Sequence, residues 1–337
     1  MAKEKAVEYA CNAFREVMDA YSGEKLLILC DDVRRDVGWI FAEAGLETGL
    51  NTRLITLKTN PKEFRKKLPE SLIEAIVQTK PDVAVNCLRG PAEETLFRIK
   101  LIHLETKDKT VRLGHGPGIT LDMLTEGALA LNTEEYQVMN THSDEIIALT
   151  EGAKEIRITT PGGTDVRLSI ERRGFFKDMN ITREKWGNLP TGEVAVGPIE
   201  NSLEGILVCD MAIGGIGLLK KPVTIVCKEG KAQSVRGDDE GVVSKVKENL
   251  SIDQLASVVG EMAIGMNPKA RVIKEFLETE KVYGTAHIAF GSNIDYPTGG
   301  KNNSANHMDF LMDKPTVVAS FSNGREREIV ATGRIIR

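Results

Sequence analysis

The chain has 337 residues, of which 41% are hydrophobic and 28% are charged, and its formal net charge is −5. This composition is ordinary for a soluble globular protein, and the length suits two domains better than one core. The acidic balance argues against nucleic acid as a partner. No apolar run approaches the roughly 18 residues that a membrane-spanning helix needs, so we expect no membrane partner.

The cysteines and the N-terminal residues favour a reducing compartment. The five cysteines are scattered and never form a C-x-x-C pair, which is typical of reduced thiols. Cys30 and Cys87 end apolar runs, so we expect them to be small buried side chains. Residues 1–21 carry charges throughout, lack the apolar core of a signal peptide and follow the spacing of an amphipathic helix. We therefore expect a cytoplasmic protein.

Residues 1–152 alternate between strand and helix patterns. Apolar runs predict buried strands at residues 25–30, 52–57 and 82–87. Helical patterns follow: the first comes after Asp31-Asp32, which could cap it, the second covers residues 61–79, and the third starts at Pro91. Short links between such elements imply right-handed crossovers. The sequence therefore predicts a doubly wound, parallel, Rossmann-like α/β domain over residues 1–152.

No nucleotide-binding motif accompanies this domain. The turn after Cys30 reads Asp-Asp-Val-Arg-Arg, which places carboxylates where the phosphates of a dinucleotide would lie. The chain has no G-x-G-x-x-G or Walker A sequence, and the glycine-rich residues 114–118 match neither. We therefore expect no nucleotide cofactor. We interpret His103, His115 and His142 as ordinary helix and turn residues, although His115 could border a substrate cleft.

From residue 153 onward the pattern changes to short β segments. Residues 155–170 alternate, break at Pro161-Gly162-Gly163 and alternate again, which predicts a β-hairpin. Further strands are predicted at residues 205–211 and 222–228, the latter followed by a turn at Glu229-Gly230. The one clear helix is predicted over residues 252–263. We therefore expect a C-terminal, mostly β (α+β) metal-binding domain over residues 153–337.

Residues 281–312 contain two histidines and an aspartate that can act together. Side chains alternate along a strand, so His307 and Asp309 would lie on one face of an extended segment. Glycines and asparagines fill the segment between His287 and His307. They predict a loop that folds back and brings the two imidazoles together. Two imidazoles beside a carboxylate can hold a metal ion.

Two glutamates are further candidates. Glu193 follows a Pro-Thr-Gly turn at the start of a β run, where we expect its carboxylate to be presented rather than buried. Glu261 lies near the end of the helix predicted at residues 252–263. Composition alone gives both glutamates and Asp309 the ordinary interpretation of solvated carboxylates.

Four short blocks, in order, resemble the thermophilic aminopeptidase T family of metallo-aminopeptidases. The blocks are Asn188-Leu-Pro-x-Gly-Glu193, Gly260-Glu261-x-Ala-x-Gly265-x-Asn267-Pro268, His287-Ile-Ala-x-Gly291 and Ser304-x-x-His307-x-Asp309. The resemblance implies an enzyme that removes N-terminal residues from peptides with a water activated by two divalent ions, Zn, Co or Mn. It also implies a homodimer.

The same resemblance implies which residues hold the metals. Carried over block by block, the ligands are Glu193, Glu261, His287, His307 and Asp309. Either Glu193 or Glu261 would also move protons during hydrolysis. The chain departs from the family at one position: a tyrosine seven residues after the first histidine is replaced by Ile294. Tyr296, two residues further on, is the candidate substitute.

A second resemblance points to different chemistry. Val282-Tyr283-Gly284-x-x-His287-Ile288, followed by His307-x-Asp309, is similar to the 2,5-dihydroxypyridine dioxygenases, which use one non-haem Fe(II). It implies three ligands, His287, His307 and Asp309, and ring cleavage of a dihydroxypyridine-like small molecule.

The two glutamates decide which of these hypotheses comes first. The dioxygenases lack the glutamate of the Pro-x-Gly turn, whereas this chain has Glu193 there and Glu261 in addition. Because two further carboxylates favour a second cation, the aminopeptidase is the first hypothesis and the Fe(II) dioxygenase the alternative. A protein that binds a metal or a small molecule without turnover is the non-enzymatic alternative.

Overall fold

A computed structural model of the chain describes residues 2–184 and 186–336. Its internal contacts divide the chain into two compact units. The first unit comprises Met1–Val138, Asp178–Thr191 and Pro268–Arg271. The second unit comprises Met139–Lys177, Gly192–Asn267 and Val272–Arg337.

The first unit is built on a five-stranded parallel sheet in the order β2-β1-β3-β4-β8. The strands are β1 (Lys25–Asp31), β2 (Asn51–Leu57), β3 (Val83–Cys87), β4 (Arg112–His115) and β8 (Gly187–Asn188). The helices are α1 (Ala2–Glu16), α2 (Arg35–Glu47), α3 (Glu70–Thr79), α4 (Thr95–Thr106) and α5 (Thr133–Thr150), which continues into the second unit. The predicted doubly wound α/β fold is confirmed. Across residues 2–184 and 186–336, no helix has the length and apolar character that crossing a membrane requires.

Two of the predicted helices begin later than expected. The helix predicted over residues 61–79 is limited to α3, and residues 61–69 lie outside it. Pro69 is the residue before α3, and a proline disfavours helical backbone at the residue that precedes it, which stops the helix from extending backward. The helix predicted to start at Pro91 begins as a 3-10 turn, Ala92–Glu94, and becomes α-helical only at Thr95.

A cluster of buried charges lies at the carboxyl ends of β1 and β3. Arg65 donates hydrogen bonds to the carboxylates of Asp31 and Glu94. The backbone N–H of Arg89 donates to Asp31 at 2.6 Å, and its guanidinium donates to Glu94 at 2.5 Å. We call these four residues the arginine cluster. The expectation that Asp31 caps a helix is wrong, because its carboxylate is bound to Arg65 and Arg89 instead.

The second unit contains two antiparallel sheets and two short helices, α6 (Glu240–Asn249) and α7 (Phe276–Thr279). The eight-stranded sheet has the order β14-β13-β10-β6-β5-β18-β19-β20. Its strands are β5 (Ala153–Thr159), β6 (Asp165–Ser169), β10 (Glu204–Cys209), β13 (Val223–Lys228), β14 (Lys231–Gly237), β18 (Thr316–Phe321), β19 (Glu326–Ala331) and β20 (Arg334–Ile335). The predicted hairpin is β5 and β6, and the turn at Glu229-Gly230 joins β13 to β14.

The seven-stranded sheet has the order β12-β11-β17-β16-β15-β9-β7. Its strands are β7 (Phe176–Asp178), β9 (Glu193–Val196), β11 (Ala212–Ile213), β12 (Gly217–Leu218), β15 (Val259–Gly265), β16 (Ala286–Gly291) and β17 (His307–Met312). The helix predicted over residues 252–263 is wrong, because its second half is the strand β15. Every residue of β15 is buried, so its apolar positions carry no alternation that separates a central strand from a helix.

Candidate metal centre

The register of the seven-stranded sheet places both histidines on one face with Glu261 and Asp309. Residues directly opposite each other in paired strands point to the same side, as do residues two apart along one strand. Glu261, Ala289 and Asp309 lie opposite one another on β15, β16 and β17. His287 precedes Ala289 by two residues, and His307 precedes Asp309 by two. The predicted loop that folds back between His287 and His307 joins the antiparallel strands β16 and β17, and the predicted shared face of His307 and Asp309 is confirmed.

Glu193 reaches the same face from the neighbouring strand β9, where it lies opposite Gly265. The residue before it, Gly192, has φ +133°, a backbone conformation that residues with a Cβ rarely adopt. A Cβ at Gly192 would also lie 2.8 Å from the Cβ of Asn267. The Pro-Thr-Gly turn therefore needs its glycine in order to deliver Glu193 to the sheet.

A β-bulge adjusts the direction of Glu261. The register between β15 and β16 shifts between Val259 and Glu261, so Gly260 is the extra residue. A Cβ at Gly260 would lie 2.3 Å from the carbonyl oxygen of Gly291. Because bulges commonly redirect a side chain next to a site, Gly260 accounts for the orientation of the Glu261 carboxylate.

Small residues separate the charged side chains on this face. Ala263 lies between Glu261 and Gly265 along β15, opposite His287. Ala289 lies between Glu261 and Asp309 across the sheet. Their methyl groups fill little volume, so the imidazole and carboxylate groups of longer neighbours can converge above them.

The five side chains converge to ligand-forming distances. The Nε2 atom of His307 lies 3.1 Å from Oε2 of Glu261 and 3.3 Å from Oδ1 of Asp309. The Nε2 atom of His287 lies 3.7 Å from Oε2 of Glu193 and 3.9 Å from Oδ1 of Asp309. Among the described residues, two overlapping groups fit a metal ion: Glu193, Glu261 and His287, and Glu261, His307 and Asp309. Within each group, one ligand atom from every residue lies within 4.8 Å of the others.

The carboxylates of this site are buried. Glu193, Glu261 and Asp309 are each less than one-tenth exposed, so the expectation that they are presented or solvated is wrong. Cross-strand pairing moves them inside, and a short sequence pattern does not report such pairing. His287 is also buried, whereas the side chain of His307 is 37% exposed. Solvent therefore reaches the site along the imidazole of His307.

The backbone orients one of the two imidazoles. The Nδ1 atom of His307 lies 2.9 Å from the carbonyl oxygen of Ser292, to which it donates. That hydrogen bond directs Nε2 towards Glu261 and Asp309, which is the arrangement that metal-binding histidines generally use. The Nδ1 atom of His287 has no hydrogen-bond partner within residues 2–184 and 186–336.

The protonation of the site follows from these contacts. Burial opposes the imidazolium form of His307, yet Asp309 and Glu261 raise its pKa well above the ordinary value. Burial likewise opposes the ionised form of Asp309, yet the charge of His307 lowers the pKa of this carboxyl to about 2. The same imidazole lowers the pKa of Glu261 against the effect of burial. A divalent cation would compete with the His307 proton for these carboxylates, so metal binding is expected to release a proton.

Tyr296 joins the site from the loop between β16 and β17. Its phenol interacts with the buried carboxylate of Glu261. Burial and the charge of Glu261 raise the pKa of Tyr296 well above its ordinary value, so the phenol keeps its proton. The Tyr296 ring packs edge-on against Phe176, with 5.1 Å between centroids. Ile294 is 46% exposed, so Tyr296 rather than position 294 supplies an aromatic hydroxyl near the glutamate.

Sequence reasoning missed Lys281, whose side chain is 1% exposed. Its Nζ atom lies 2.6 Å from Oε1 of Glu193 and 2.9 Å from Oε1 of Glu280. Burial raises the pKa of Glu280 to about 8, with the charge of Lys281 acting against that rise. The available signal was the Glu-Lys pair that directly follows α7, with its lysine six residues before His287.

Among the described residues, neither ligand group includes His103, His115 or His142. His115 is buried in β4 and packs edge-on against Trp186. Burial lowers the pKa of His115 to about 3. His103 lies in α4 and His142 in α5, as their helical patterns predicted.

Fold and site together define a class: a mixed α/β protein with a buried carboxylate–imidazole site suited to a divalent metal ion. Two imidazoles and several carboxylates form a donor set that Fe(II), Mn(II), Co(II) and Zn(II) all accept, so the residues present fit such an ion. The model of one protein family, NicX: 2,5-dihydroxypyridine 5,6-dioxygenase, matches residues 126–336. The chain belongs to this family.

Two solved structures share the fold along the whole chain. One is the 2,5-dihydroxypyridine dioxygenase of Pseudomonas putida, with a TM-score of 0.71 and 14% identity over 100% of this chain and 98% of that one. The other is wild-type AmpT of Thermus thermophilus, with a TM-score of 0.74 and 17% identity over 100% of both chains. Comparison with curated proteins found no match. Both resemblances derived from the sequence, to aminopeptidase T and to the dioxygenases, are confirmed.

Proposed function

We propose that the chain is a single-metal dioxygenase that cleaves the ring of a dihydroxylated pyridine-like molecule. The observation that carries this proposal is that the imidazoles of His287 and His307 both face the carboxylate of Asp309. The Oδ1 atom of Asp309 lies 3.3 Å from one imidazole nitrogen and 3.9 Å from the other. All three lie inside the segment that the dioxygenase family model matches. Two histidines and one carboxylate, with coordination positions left for other ligands, are the set used by many Fe(II) oxygenases.

The surrounding residues have roles in this reaction that do not depend on the metal. Iron held by the three ligands would supply sites for oxygen and for the substrate hydroxyl groups. Glu261 lies 3.1 Å from His307 and can accept the proton that a substrate hydroxyl loses. Tyr296 keeps its proton beside Glu261 and can act as a hydrogen-bond donor in the site. The small side chains of Ala263 and Ala289 leave room for a flat ring above the sheet.

Oxygen consumption tests the proposal directly. The protein is reconstituted anaerobically with Fe(II), its iron content is measured, and 2,5-dihydroxypyridine is added with oxygen. We expect one O2 consumed per ring and loss of the aromatic absorbance. The control substrate, 2-hydroxypyridine, lacks the second hydroxyl group and should consume none. Iron-loaded protein that takes up no oxygen with the dihydroxylated ring would contradict the proposal.

A two-metal aminopeptidase is the second candidate, and a specific observation favours it. The two ligand groups overlap at Glu261, which is the arrangement expected when one carboxylate bridges two ions. Two ions would polarise a peptide carbonyl and supply an activated water. In that reaction Glu193 or Glu261 would carry the proton to the leaving amine.

Glu193→Ala separates the two candidates. The dioxygenase uses three ligands that exclude Glu193, so its oxygen uptake should survive the substitution. The aminopeptidase needs Glu193 as a ligand, so hydrolysis of a panel of short peptides by Zn-, Co- or Mn-loaded protein should disappear. Glu204→Ala serves as the matched control, because this glutamate lies on an exposed end of β10 in the same unit.

A further inference from the structure

Lys281 lies within the proposed metal centre, and the chain holds it rigidly there. Its backbone carbonyl accepts a hydrogen bond of 2.9 Å from the N–H of Asn267, and its own N–H donates to Glu278 at 3.0 Å. A Cβ at Gly265, the residue opposite Glu193, would come within 2.9 Å of the Lys281 carbonyl carbon. The backbone of Lys281 therefore packs directly on the strand that faces Glu193, which fixes where the side chain starts.

The ammonium group binds one oxygen of Glu193, Oε1, while the other oxygen, Oε2, faces His287 in the candidate ligand group. At 2.6 Å from Oε1, Nζ is as close to this carboxylate as a strong charge-assisted hydrogen bond allows. A divalent ion on the same carboxylate would lie next to a fixed positive charge, and like charges a few Å apart repel strongly in a buried site. The ammonium already provides the countercharge that burial of Glu193 requires.

We propose that Lys281 serves as the second cation of the site and thereby limits it to one divalent ion per chain. This inference rests on the proposed metal centre, and it explains why the chain can have Glu193 without using it as a ligand. Of the residues in the two ligand groups, Lys281 binds Glu193, so the proposed ligands His287, His307 and Asp309 remain open to a metal. Removal of the lysine charge should make Glu193 available to a second ion.

Metal counting tests the inference without any substrate. Native protein, Lys281→Met and the control Lys221→Met are dialysed against Co(II), and bound cobalt is measured per chain together with its visible absorption. Lys221 pairs with Asp238 at an exposed surface of the same unit, so its loss should leave the site unchanged. We expect one ion in the native protein and in the control, and two in Lys281→Met. The second ion should bind at least about tenfold more tightly in Lys281→Met than in the native protein, because a like charge is removed.

A second variant guards against misfolding, since Lys281→Met leaves two buried glutamates without their ammonium partner. Glu280→Gln/Lys281→Met also replaces one of those two carboxyl groups and is expected to bind two ions as well. Two ions of similar affinity in native protein, or one ion in both folded variants, would overturn the inference. If neither variant folds, the native count alone decides between one ion and two.

The outcome is independent of the proposed reaction. One ion per native chain and two per variant would support the role of Lys281 even if iron-loaded protein consumed no oxygen. Conversely, oxygen uptake by a native chain that holds two ions would support the dioxygenase and reject the role of Lys281.

Discussion

The arginine cluster of the first unit and the candidate metal centre of the second unit both bury carboxylates, yet the partners of those carboxylates differ. In the arginine cluster, Asp31 and Glu94 are fully buried and each contacts Arg65. In the metal centre, the partners of the carboxylates are imidazoles, a phenol and one lysine. A guanidinium does not give up its proton, whereas an imidazole exchanges its proton for a metal ion. The partners, and not the buried carboxylates themselves, distinguish the two regions.

A lowered carboxyl pKa does not make this distinction. Burial opposes ionisation of Glu94, but Arg65 and Arg89 lower its pKa to about 2. Burial opposes ionisation of Asp309 too, and the charge of His307 lowers its pKa to about the same value. Equal pKa values thus arise at a closed ion-pair network and at a site suited to metal. The arginine cluster also lies at the switch point of the parallel sheet, where such folds commonly bind ligands, and its own side chains fill that position.

The largest expected effect is a loss of metal binding, which should follow a substitution in the candidate metal centre. Asp309→Ala removes the carboxylate that lies between both imidazoles, so the purified protein should lose its bound Co(II) entirely. Metal content after dialysis measures this. Asp165→Ala is the control, because Asp165 is a half-exposed carboxylate on β6 in the same unit. Retention of cobalt at native affinity by Asp309→Ala would contradict the placement of the site.

Next in size is an effect on stability alone. Arg65→Ala leaves two fully buried carboxylates without their shared partner, so the free energy of unfolding should fall by about 3–5 kcal/mol. Urea denaturation of native and variant protein gives the difference. Arg157→Ala breaks an ion pair on exposed strands and should leave the urea midpoint unchanged. Folded Arg65→Ala that bound less cobalt than native protein would argue against separate roles for the two regions.

A smaller effect on cobalt affinity is expected when a larger side chain is placed between the ligands. Ala289 is buried between Glu261 and Asp309, so Ala289→Val should push these carboxylates apart and weaken cobalt binding. Overpacking of this kind costs about 1–3 kcal/mol of stability. Ala319→Val makes the same change at a buried position of the eight-stranded sheet. It should lower stability by a similar amount and leave the cobalt affinity at the native value; equal losses of affinity in both variants would exclude a local effect.

The last effect appears only as the pH changes, and it concerns a buried carboxyl that lies in neither region. Glu105 accepts a hydrogen bond of 2.7 Å from Asn86, and burial raises its pKa to about 8. Because the folded pKa exceeds the unfolded one, the folded state keeps a proton that the unfolded state loses above a pH of about 4.5. The stability from Glu105 is therefore complete below that pH and is lost as the pH rises through about 8.

Glu105→Gln isolates this dependence. Native stability should fall relative to that of Glu105→Gln by about 1 kcal/mol per pH unit between those limits. Urea midpoints at several pH values measure it, and all other titrating groups cancel in the comparison. Parallel profiles for the two proteins would mean that Glu105 is ionised in the folded state. In that case, contacts other than the hydrogen bond from Asn86 would offset the cost of burying the Glu105 charge.

The sequence alone determined the features that depend on local pattern. Continuous apolar runs identified β1 and β3 of the parallel sheet, and the spacing of His307 and Asp309 placed both on one face of a strand. Four motif blocks named the five residues that the seven-stranded sheet brings together. These conclusions held because side-chain periodicity and turn glycines act over a few residues.

The tertiary structure decided the environment of those residues. It placed Glu261 on a strand instead of a helix, buried Glu193, and brought Tyr296 and Lys281 to the two glutamates. It also joined Arg65 to Asp31 across 34 residues of sequence. Burial, strand register and ion pairing arise between segments far apart in the chain, so no local pattern can report them. The proposed number of metal ions rests on that non-local chemistry.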